Sequence, residues 1–273
     1  MERVGTTTGP LDAARVAAAV CGDGRVWTDI RVVAETGSTN ADALRAAASG
    51  ARAGLVIAAE AQTAGRGRQG RDWLSQPGSA LTFSVLLRPV APQSARGWLP
   101  LLAGVAVAGA VRAETGVDAR LKWPNDVLAG GGKLAGVLAE QAGDAIVVGI
   151  GINVGGARGD LPVPTATSLQ ACGASPAGRT DRTGLLAALL GRLEHWYLAW
   201  DGAGGDPVGS GLRAAYLELC ATIGQRVRAE LPGGRHLAGV ATGIDGTGRL
   251  LIGSQDGTGQ RTAVSAGDVV HVR

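Results

Sequence analysis

The sequence has little of the residue types from which metal centres and catalytic triads are built. Among its 273 residues are three histidines and three cysteines, and Cys21, Cys172 and Cys220 lie too far apart for the spacing of a structural metal site. Such a scattered, odd set is typical of reduced thiols in a cytoplasmic protein. No histidine stands in a pattern that suggests a Ser–His–Asp triad. We therefore expect no histidine-based catalysis and no metal ion held by protein ligands alone.

The sequence also lacks the pattern of a secretory leader or a membrane span. Glu2 and Arg3 lead into threonines and not into an apolar run. Apolar stretches such as residues 98–111 are rich in Ala and Gly and too short to cross a bilayer. The balance of 26 Lys and Arg against 23 Asp and Glu leaves a net charge of only +3, which does not indicate a nucleic-acid-binding surface. We expect a cytoplasmic protein that contacts neither membrane nor DNA.

The patterns that are present predict an α+β fold. Helical periodicity is found over residues 11–20, 39–49, 98–114, 183–200 and 207–219. Strand patterns cover residues 30–35, 55–61, 81–87, 119–123, 127–129, 133–141 and 145–154. After residue 220 only short strands between Gly and Asp turns follow, over 226–230, 236–244, 248–253, 260–265 and 268–272. We predict a domain of residues 1–220 with a mixed or mostly antiparallel sheet, and a small β-barrel of residues 221–273.

A segment rich in glycine and arginine, GRGRQGR at residues 65–71, follows the predicted strand at 55–61. It matches G-x-G-x-x-G, but a dinucleotide site needs a helix directly after the glycines. The sequel, DWLSQPG at residues 72–78, cannot form a useful helix. An RNA-binding Gly/Arg tract would repeat, and this segment stands alone. A solvated hairpin loop without a role is the default interpretation of the segment by itself.

The chemistry of the same loop suits a bound acyl phosphate. Arg66, Arg68 and Arg71 offer fork-shaped donors to phosphate and carboxylate oxygens. The glycines between them let backbone amides approach an anion closely. Because several like charges crowd together, we expect the loop to be mobile when it is empty.

Five short segments occur in a fixed order that favours the functional interpretation. They are ETGSTN at 35–40, QTAGRGR at 62–68, KWPND at 122–126, KLAGVL at 133–138 and GIGINV at 149–154. Together they resemble the biotin protein ligases over residues 33–169, and the terminal barrel is similar to that family's C-terminal domain. The resemblance implies a fold related to class II aminoacyl-tRNA synthetases, followed by an SH3-like barrel. It also implies two steps: biotin and MgATP give biotinyl-adenylate and pyrophosphate, and a lysine of a biotin carboxyl carrier domain of an acyl-CoA carboxylase then attacks the anhydride.

The resemblance assigns one group of residues to biotin and another to the nucleotide. Ser38, Thr39 and Asn40 also suit a helix N-cap, and in the family they face biotin, with Gln62 near its ureido ring or valerate. The loop residues Gly65, Arg66, Gly67 and Arg68 would hold the adenylate phosphate. Trp73 would stack on adenine, for which an indole face is well shaped.

The remaining family residues lie downstream, and Lys133 is the one with the clearest chemical role. The resemblance places it against the carboxylate and α-phosphate, where a fixed cation stabilises the transition state. Without the resemblance, Lys133 could equally be a charged residue that protects an edge strand and has no catalytic role. Arg68 and Asp126 join it as catalytic residues, Asp126 by handling the incoming lysine. The resemblance also places Asn125 near ATP and Mg²⁺, and Asn153 near the ribose or base of the nucleotide. It implies that the ligand approaches Gly136 closely and that the segment with Ala166 helps to close the nucleotide pocket. We interpret Gly149 as a packing glycine.

Two other functions remain open beside biotin ligation. A lipoate–protein ligase would run the same chemistry on a different acid, and a non-enzymatic regulator would bind biotin or its adenylate without labelling a lysine. Members of the family that repress genes carry an N-terminal helix-turn-helix domain. Residues 1–30 hold one convincing helix, which is too little for such a module, so we expect no DNA-binding function. Mg²⁺ bound with ATP is the only metal we expect.

Overall fold

A computed structural model describes residues 9–74, 77–161, 163–174, 181–231, 235–254, 260–265 and 269–271. Its helices are α1 (Ala13–Val20), α2 (Thr39–Ala48), α3 (Leu99–Thr115), α4 (Arg182–Gly202) and α5 (Leu212–Leu219). Its first seven strands are β1 (Asp29–Thr36), β2 (Leu55–Gln62), β3 (Ala80–Leu87), β4 (Arg120–Lys122), β5 (Asp126–Ala129), β6 (Gly132–Ala142) and β7 (Ala145–Asn153). The others are β8 (Arg226–Leu231), β9 (Arg235–Ile244), β10 (Leu250–Gly253), β11 (Arg261–Val264) and β12 (Val269–His271).

The first seven strands form one mixed sheet in the order β1-β2-β3-β7-β6-β5-β4. Strands β1 and β2 run parallel, and every other neighbouring pair is antiparallel. The prediction of an α+β fold with a mixed sheet is therefore confirmed. The predicted hairpin at Gly130 and Gly131 joins β5 to β6, and both glycines have positive φ angles, 51° and 77°.

The two faces of the sheet carry different layers, and β7 shows how one strand serves both. Ile146, Val148, Ile150 and Ile152 belong to the main core with α3 and α4, whereas Ala145 and Val147 pack in a small cluster with α2. Alternate residues of a strand point to opposite faces. Beyond Val147 the α2 face of β7 carries two glycines, at positions 149 and 151, before Asn153 ends the strand. This loss of side chains leaves room above the sheet beside the N-terminus of α2.

The last five strands form a second, antiparallel sheet in the order β11-β10-β9-β8-β12. Its β9–β10 turn is bonded to two buried tryptophans of the preceding part of the chain, Trp98 just before α3 and Trp123 just after β4. The indole N–H of Trp98 donates to the carbonyls of Asp245 and Gly246 at 3.2 and 3.1 Å, and that of Trp123 donates to the carbonyl of Gly248 at 3.0 Å. The second sheet is therefore held to the rest of the fold in part by hydrogen bonds from indole N–H groups to main-chain carbonyls.

Two helix starts differ from the prediction. Helix α1 begins at Ala13 and not at residue 11, because the side chain of Asp12 caps it by accepting from Arg15 N at 3.0 Å. Helix α5 begins at Leu212 and not at residue 207, because Asp206 accepts from Val208 N and holds residues 207–210 in turns.

The apolar stretch predicted to be too short for a membrane span is longer than expected. A 3₁₀ turn, Gln93–Trp98, continues into α3, so the helical segment Gln93–Thr115 has 23 residues. By length and composition alone it could cross a membrane, but 72% of its most apolar window is buried inside the fold. A core helix of a globular protein has the same properties.

Candidate active site

Three consecutive polar residues are buried where α2 begins. Ser38, Thr39 and Asn40 are 6%, 4% and 4% exposed. Ser38 is the N-cap and its hydroxyl accepts from Ala41 N at 3.5 Å, so the expected capping role is present. Buried polar groups need hydrogen-bond partners. The partners of Thr39 and Asn40 come from the sheet beneath the helix.

Gln62, the last residue of β2, is the first of these partners. Its Oε1 atom accepts from the backbone N–H of Thr39 at 2.8 Å and lies 3.1 Å from Thr39 Oγ1. Because a backbone N–H can only donate, this contact fixes which way round the Gln62 amide sits. The Nε2 donors therefore point away from α2, towards Gly65, where an added Cβ atom would lie 3.0 Å from Nε2.

Ser84 of β3 is a second partner, and sequence reasoning missed it. It is fully buried, and its Oγ atom lies 2.7 Å from Thr39 Oγ1 and 2.6 Å from Asn40 Oδ1. The signal was available, since a serine in the middle of the apolar strand ALTFSVLL needs a buried partner. Gly149 of β7 is opposite Ser84 in the sheet, and a Cβ atom there would meet Asn40 Oδ1 at 2.0 Å. Close packing is thus the function of Gly149, as predicted.

The Gly/Arg loop folds back on itself between β2 and β3. Trp73 N donates to the carbonyl of Gly65 at 2.8 Å, and Gly67 N donates to the carbonyl of Arg71 at 2.6 Å. A Cβ atom on Gly65 would lie 2.4 Å from the Trp73 carbonyl oxygen, so only glycine fits that position. A single 3₁₀ turn, Arg68–Gly70, replaces the helix that a dinucleotide site requires. Among the described residues up to β3, the predicted absence of a helix after the glycines is therefore observed.

Two arginines of the loop are directed at β5, β6 and their neighbours. Arg68 Nη1 donates to Asn125 Oδ1 at 3.2 Å, and Asn125 Nδ2 in turn donates to the Val137 carbonyl at 2.9 Å. Arg66 Nη2 lies 3.5 Å from a carboxylate oxygen of Glu140, a residue that the sequence motifs did not include. Both arginines thus lie over β6, whose second residue is Lys133.

Lys133 pairs with Asp126 across the β5–β6 ladder. The Nζ–Oδ1 distance is 2.6 Å, and the two side chains are 35% and 22% exposed. The backbone of Lys133 is held by residues 165–167, since its N–H donates to the Thr165 carbonyl at 2.8 Å and its carbonyl accepts from Thr167 N at 2.9 Å. This bridge places Ala166 beside Lys133. The ammonium group is therefore fixed but still open to solvent.

Asn153, at the end of β7, completes this side of the site. Its Nδ2 atom donates to the Thr167 carbonyl at 3.0 Å and to the Lys133 carbonyl at 3.4 Å. In this arrangement it holds residues 165–167 against the strand. Its side chain touches the segment expected to close the nucleotide pocket.

The indole of Trp73 lies flat on the glycines between the two groups of residues. A Cβ atom on Gly151 would meet ring atoms at 2.4–2.8 Å, and one on Gly136 would meet Trp73 Cζ3 at 3.4 Å and Lys133 Nζ at 3.4 Å. Among the described residues no acceptor is found for the buried Nε1–H of Trp73. The ring thus rests where the sheet has no side chains, next to the ammonium of Lys133.

A cavity of about 780 Å³ lies on the outer side of the loop, between it and the second sheet. Arginines from both sides line it, namely Arg66, Arg68, Arg71 and Arg249, together with Asp72 and Glu140. Neither Lys133 nor Gln62 lines this cavity. We take the site to be the surface that Trp73 covers in this structure, since the buried polar cluster and Lys133 border it. Arg66, Arg68 and Asn125 connect this surface to the cavity.

Within the part of the chain that the structure describes, no group of three or more His, Cys, Asp or Glu side chains could hold a metal ion. The three cysteines are free thiols in separate regions. His195 packs edge-on against Trp196 on α4, away from the site, with ring centroids 5.1 Å apart.

Two protein-family models match the chain. That of the Biotin/lipoate A/B protein ligase family matches residues 32–156, and that of the Biotin protein ligase C terminal domain matches residues 222–272. The first match contains α2, the Gly/Arg loop, Lys133 and Asn153. The second contains the five strands of the small sheet.

Individual relatives extend the likeness over nearly the whole chain. A biotin--[acetyl-CoA-carboxylase] ligase of Mycobacterium tuberculosis is 46% identical over 97% of this chain and 97% of its own length. The bifunctional ligase/repressor BirA of Bacillus subtilis is 35% identical over 81% of this chain and 68% of its own length. The solved structure of biotin protein ligase from Aquifex aeolicus in complex with biotin and ATP matches with a TM-score of 0.75 at 29% identity, covering 90% of this chain and all of that chain.

Proposed function

The chain belongs to the biotin/lipoate A/B protein ligase family, and we propose that it attaches biotin to a lysine of a carrier domain in two ATP-dependent steps. The observation that carries the proposal is one continuous surface. A cluster of uncharged donors and acceptors, Thr39, Gln62 and Ser84, is followed by glycines that Trp73 covers in this structure and then by Lys133. Once the indole has moved aside, a ligand with a polar neutral ring, an apolar body and an acidic end would meet matching groups in that order.

The neutral cluster would bind the ureido ring of biotin. Gln62 presents its Nε2 donors and Thr39 an oxygen, and a cyclic urea offers one carbonyl acceptor and two N–H donors. The dithiolane ring of lipoate has no such donors. Buried polar groups left without partners disfavour the wrong ligand strongly, so this cluster supports biotin over lipoate.

In the first step a carboxylate oxygen of biotin attacks the α-phosphorus of ATP, and the bond to the leaving pyrophosphate breaks. Lys133 would stand beside both the carboxylate and the α-phosphate, with Arg68 above them. Its ammonium is already held in place by Asp126. Donors that need no reorganisation as charge develops lower the barrier most effectively. Trp73 would stack on the adenine, and Arg66 with the amides of the loop would bind the phosphate.

In the second step the amine of the carrier lysine attacks the acyl carbon, and AMP leaves. The lysine must give up a proton to become a nucleophile. We assign the acceptance of that proton to Asp126, whose carboxylate is partly exposed next to Lys133. Asn125, Asn153 and Ala166 would contact the nucleotide.

Magnesium would fit this site only as a companion of ATP. The described residues near Lys133 offer Asp126 and Asn125 as oxygen ligands, and Asp126 is already paired. Mg²⁺ commonly takes one or two protein oxygens, phosphate oxygens and water. When bound with ATP it would neutralise phosphate charge, while Lys133 and the arginines orient the α-phosphate.

The finer description of the molecule is also part of the proposal. We propose two domains, residues 1–220 and 221–273, the first related to class II aminoacyl-tRNA synthetases and the second SH3-like. The gap between α5 and β8, where one sheet gives way to the other, supports that boundary. We place the protein in the cytoplasm, where free thiols persist, and expect acyl-CoA carboxylase carrier domains as partners and neither DNA nor membrane.

The test is a labelling reaction with the full chain. Incubated with biotin, ATP and Mg²⁺, it should release pyrophosphate and form biotinyl-adenylate, and a carrier domain added next should gain biotin on one lysine, detected by mass spectrometry. A parallel reaction with lipoate is the control and should give little product. Pyrophosphate release with lipoate alone would identify the other ligase, and biotin binding without labelling would identify a regulator.

A further inference from the structure

We propose that Glu140 is a positioning residue that sets the direction of the hydrogen bonds leading to Thr39, and so makes Thr39 an acceptor for an N–H group of the ligand. This inference rests on the proposed function, because it concerns how the neutral cluster distinguishes the ureido ring. Glu140 lies on β6, and one carboxylate oxygen accepts from Asn40 Nδ2 at 2.7 Å.

The argument begins with the amide of Asn40. Its Nδ2 atom donates to Glu140 and, at 3.3 Å, to the carbonyl of Leu138. A carboxylate accepts only, so it fixes Nδ2 on the β6 side of the amide. Asn40 Oδ1 is then the atom that faces Ser84, at 2.6 Å.

The direction then passes through Ser84 to Thr39. Asn40 Oδ1 cannot donate, so the single hydroxyl proton of Ser84 goes to it. Ser84 Oγ is then left as an acceptor for the hydroxyl of Thr39, which lies 2.7 Å from it and 3.1 Å from its other possible acceptor, Gln62 Oε1. We assign the one hydroxyl proton of Thr39 to the shorter contact, with Ser84, so that Thr39 Oγ1 keeps its lone pairs for the ligand.

The result is a pair of acceptors with no proton between them. Thr39 Oγ1 and Gln62 Oε1 lie 3.1 Å apart, and Gln62 Oε1 is itself held by the backbone N–H of Thr39. Such a pair suits a donor from the ligand. Were Asn40 turned over, Ser84 would donate to Thr39 and Thr39 to Gln62, and the pair would no longer accept an N–H group.

Glu140 also touches the charged side of the site. Its second carboxylate oxygen lies 3.5 Å from Arg66 Nη2, and the two side chains are 26% and 47% exposed. A half-exposed pair at this distance is weak. The contact with Asn40 is shorter and involves a side chain only 4% exposed, so we assign the positioning role to that contact.

The proposal predicts a loss of discrimination, not a general loss of activity. We would measure by calorimetry the Kd of biotin and of an analogue in which a methylene group replaces one ureido N–H, without ATP. Glu140→Leu should weaken biotin about tenfold, as expected for one misdirected hydrogen bond, and weaken the analogue far less. Glu140→Gln keeps an acceptor for Asn40 and should restore most of the preference.

Two further variants separate positioning from folding. Ser84→Ala interrupts the same series of bonds at another point and should reduce the preference in the same way, so the proposal can be tested even if Glu140→Leu is unstable. Asp144→Asn removes an acid paired with Arg88 at the far end of β6 and should change neither Kd.

Unchanged discrimination in folded Glu140→Leu and Ser84→Ala would overturn the proposal, and so would equal weakening of both ligands. A wild-type protein that binds biotin but forms no adenylate would overturn the proposed function and leave the role of Glu140 standing. The two failures are therefore distinguishable.

Discussion

The two ends of the candidate site are built in different ways. At the neutral end Thr39, Asn40 and Ser84 are at most 4% exposed and bonded to one another through uncharged groups. At the charged end the side chains of Lys133 and Asp126 are 35% and 22% exposed and neutralise each other. The neutral end is organised by hydrogen bonds between uncharged groups, whereas the charged end is organised by an ion pair that leaves the ammonium of Lys133 open to an incoming phosphate.

The difference suggests a division of labour. Preorganised, buried polar groups discriminate between ligands because a mismatch leaves one of them unpaired. A fixed cation acts mainly on the transition state, where the charge is greatest. Variants of the neutral end should therefore change Kd or KM, and variants of the charged end should change kcat.

The largest effect is expected from Lys133→Ala. Loss of the cation should slow adenylate formation about 100- to 1,000-fold, measured as biotin-dependent exchange of pyrophosphate into ATP. The fold should persist, because the backbone bonds of Lys133 to residues 165–167 do not need the side chain. Arg112→Ala, which removes an exposed cation paired with Asp118 at the end of α3, is the control. If folded Lys133→Ala exchanged pyrophosphate at a near-normal rate, the assignment of catalysis to the charged end would be wrong.

The boundary between the ends is tested by two glycines under Trp73. A methyl group on Gly151 would lie 2.4 Å from the indole and must displace it, whereas one on Gly136 meets ring and lysine atoms at 3.3–3.4 Å and needs a shift of only tenths of an ångström. Overpacking costs about 1–3 kcal/mol, so Gly151→Ala should raise the KM for ATP about tenfold or more and Gly136→Ala much less. Steady-state kinetics of both variants would show it, and equal effects would refute the role of the indole.

A smaller effect is expected at the neutral end from Thr39→Val. The change keeps the shape of the side chain but removes the hydroxyl between Ser84 and Gln62. We expect the KM for biotin to rise about fivefold to tenfold, as for the loss of one hydrogen bond, with kcat within twofold of the wild type. A fall in kcat with an unchanged KM would reverse the assignment of the two ends.

The smallest effect concerns pH and the turn that borders the charged end. Partial burial opposes ionisation of Asp245, but hydrogen bonds from Arg249 N and Thr247 N, at 3.0 and 2.9 Å, outweigh it and hold the pKa of this carboxyl below its ordinary value. A lowered pKa stabilises the fold above the unfolded-state pKa of about 3.9. That stability is lost as the pH falls through the folded-state pKa.

Asp245→Asn should therefore flatten the decline of thermal stability below about pH 4, while slightly lowering the melting temperature at neutral pH. Thermal unfolding followed by circular dichroism between pH 3 and pH 7 would measure it. The same steep acid dependence in the variant would show that other carboxylates dominate.

More of the residues at the charged end than at the neutral end could be predicted from the sequence. Lys133, Arg68 and Asn125 stand in short local motifs, and the hairpin at Gly130 and Gly131 brings two of those motifs together. Ser84 and Glu140 lie far apart in the chain and meet Asn40 only because β3, β7 and β6 are neighbours. Strand order of this kind depends on long-range pairing, which local patterns do not encode.

The same reasoning explains which fold predictions were confirmed. Strands and the main helices have strong periodicity, so their existence was predicted correctly. The start of α5 was predicted wrongly because Pro207 and Val208 extend the apolar pattern, while the side chain of Asp206 accepts from Val208 N and competes with helix formation. A capping side chain can be recognised only when its partner is known.

The bonds from Trp98 and Trp123 to the β9–β10 turn have a consequence for biosynthesis. Translation proceeds from the N-terminus, and domains usually fold as they leave the ribosome. Here the acceptors of both indoles lie at residues 245–248, more than a hundred positions after the tryptophans themselves. Trp123 precedes Asn125 and Asp126 by two and three positions. A nascent chain that has not yet exposed residues 245–248 lacks these acceptors for both indoles, so we expect the segment that carries Asn125 and Asp126 to reach its final structure only after the second sheet has emerged.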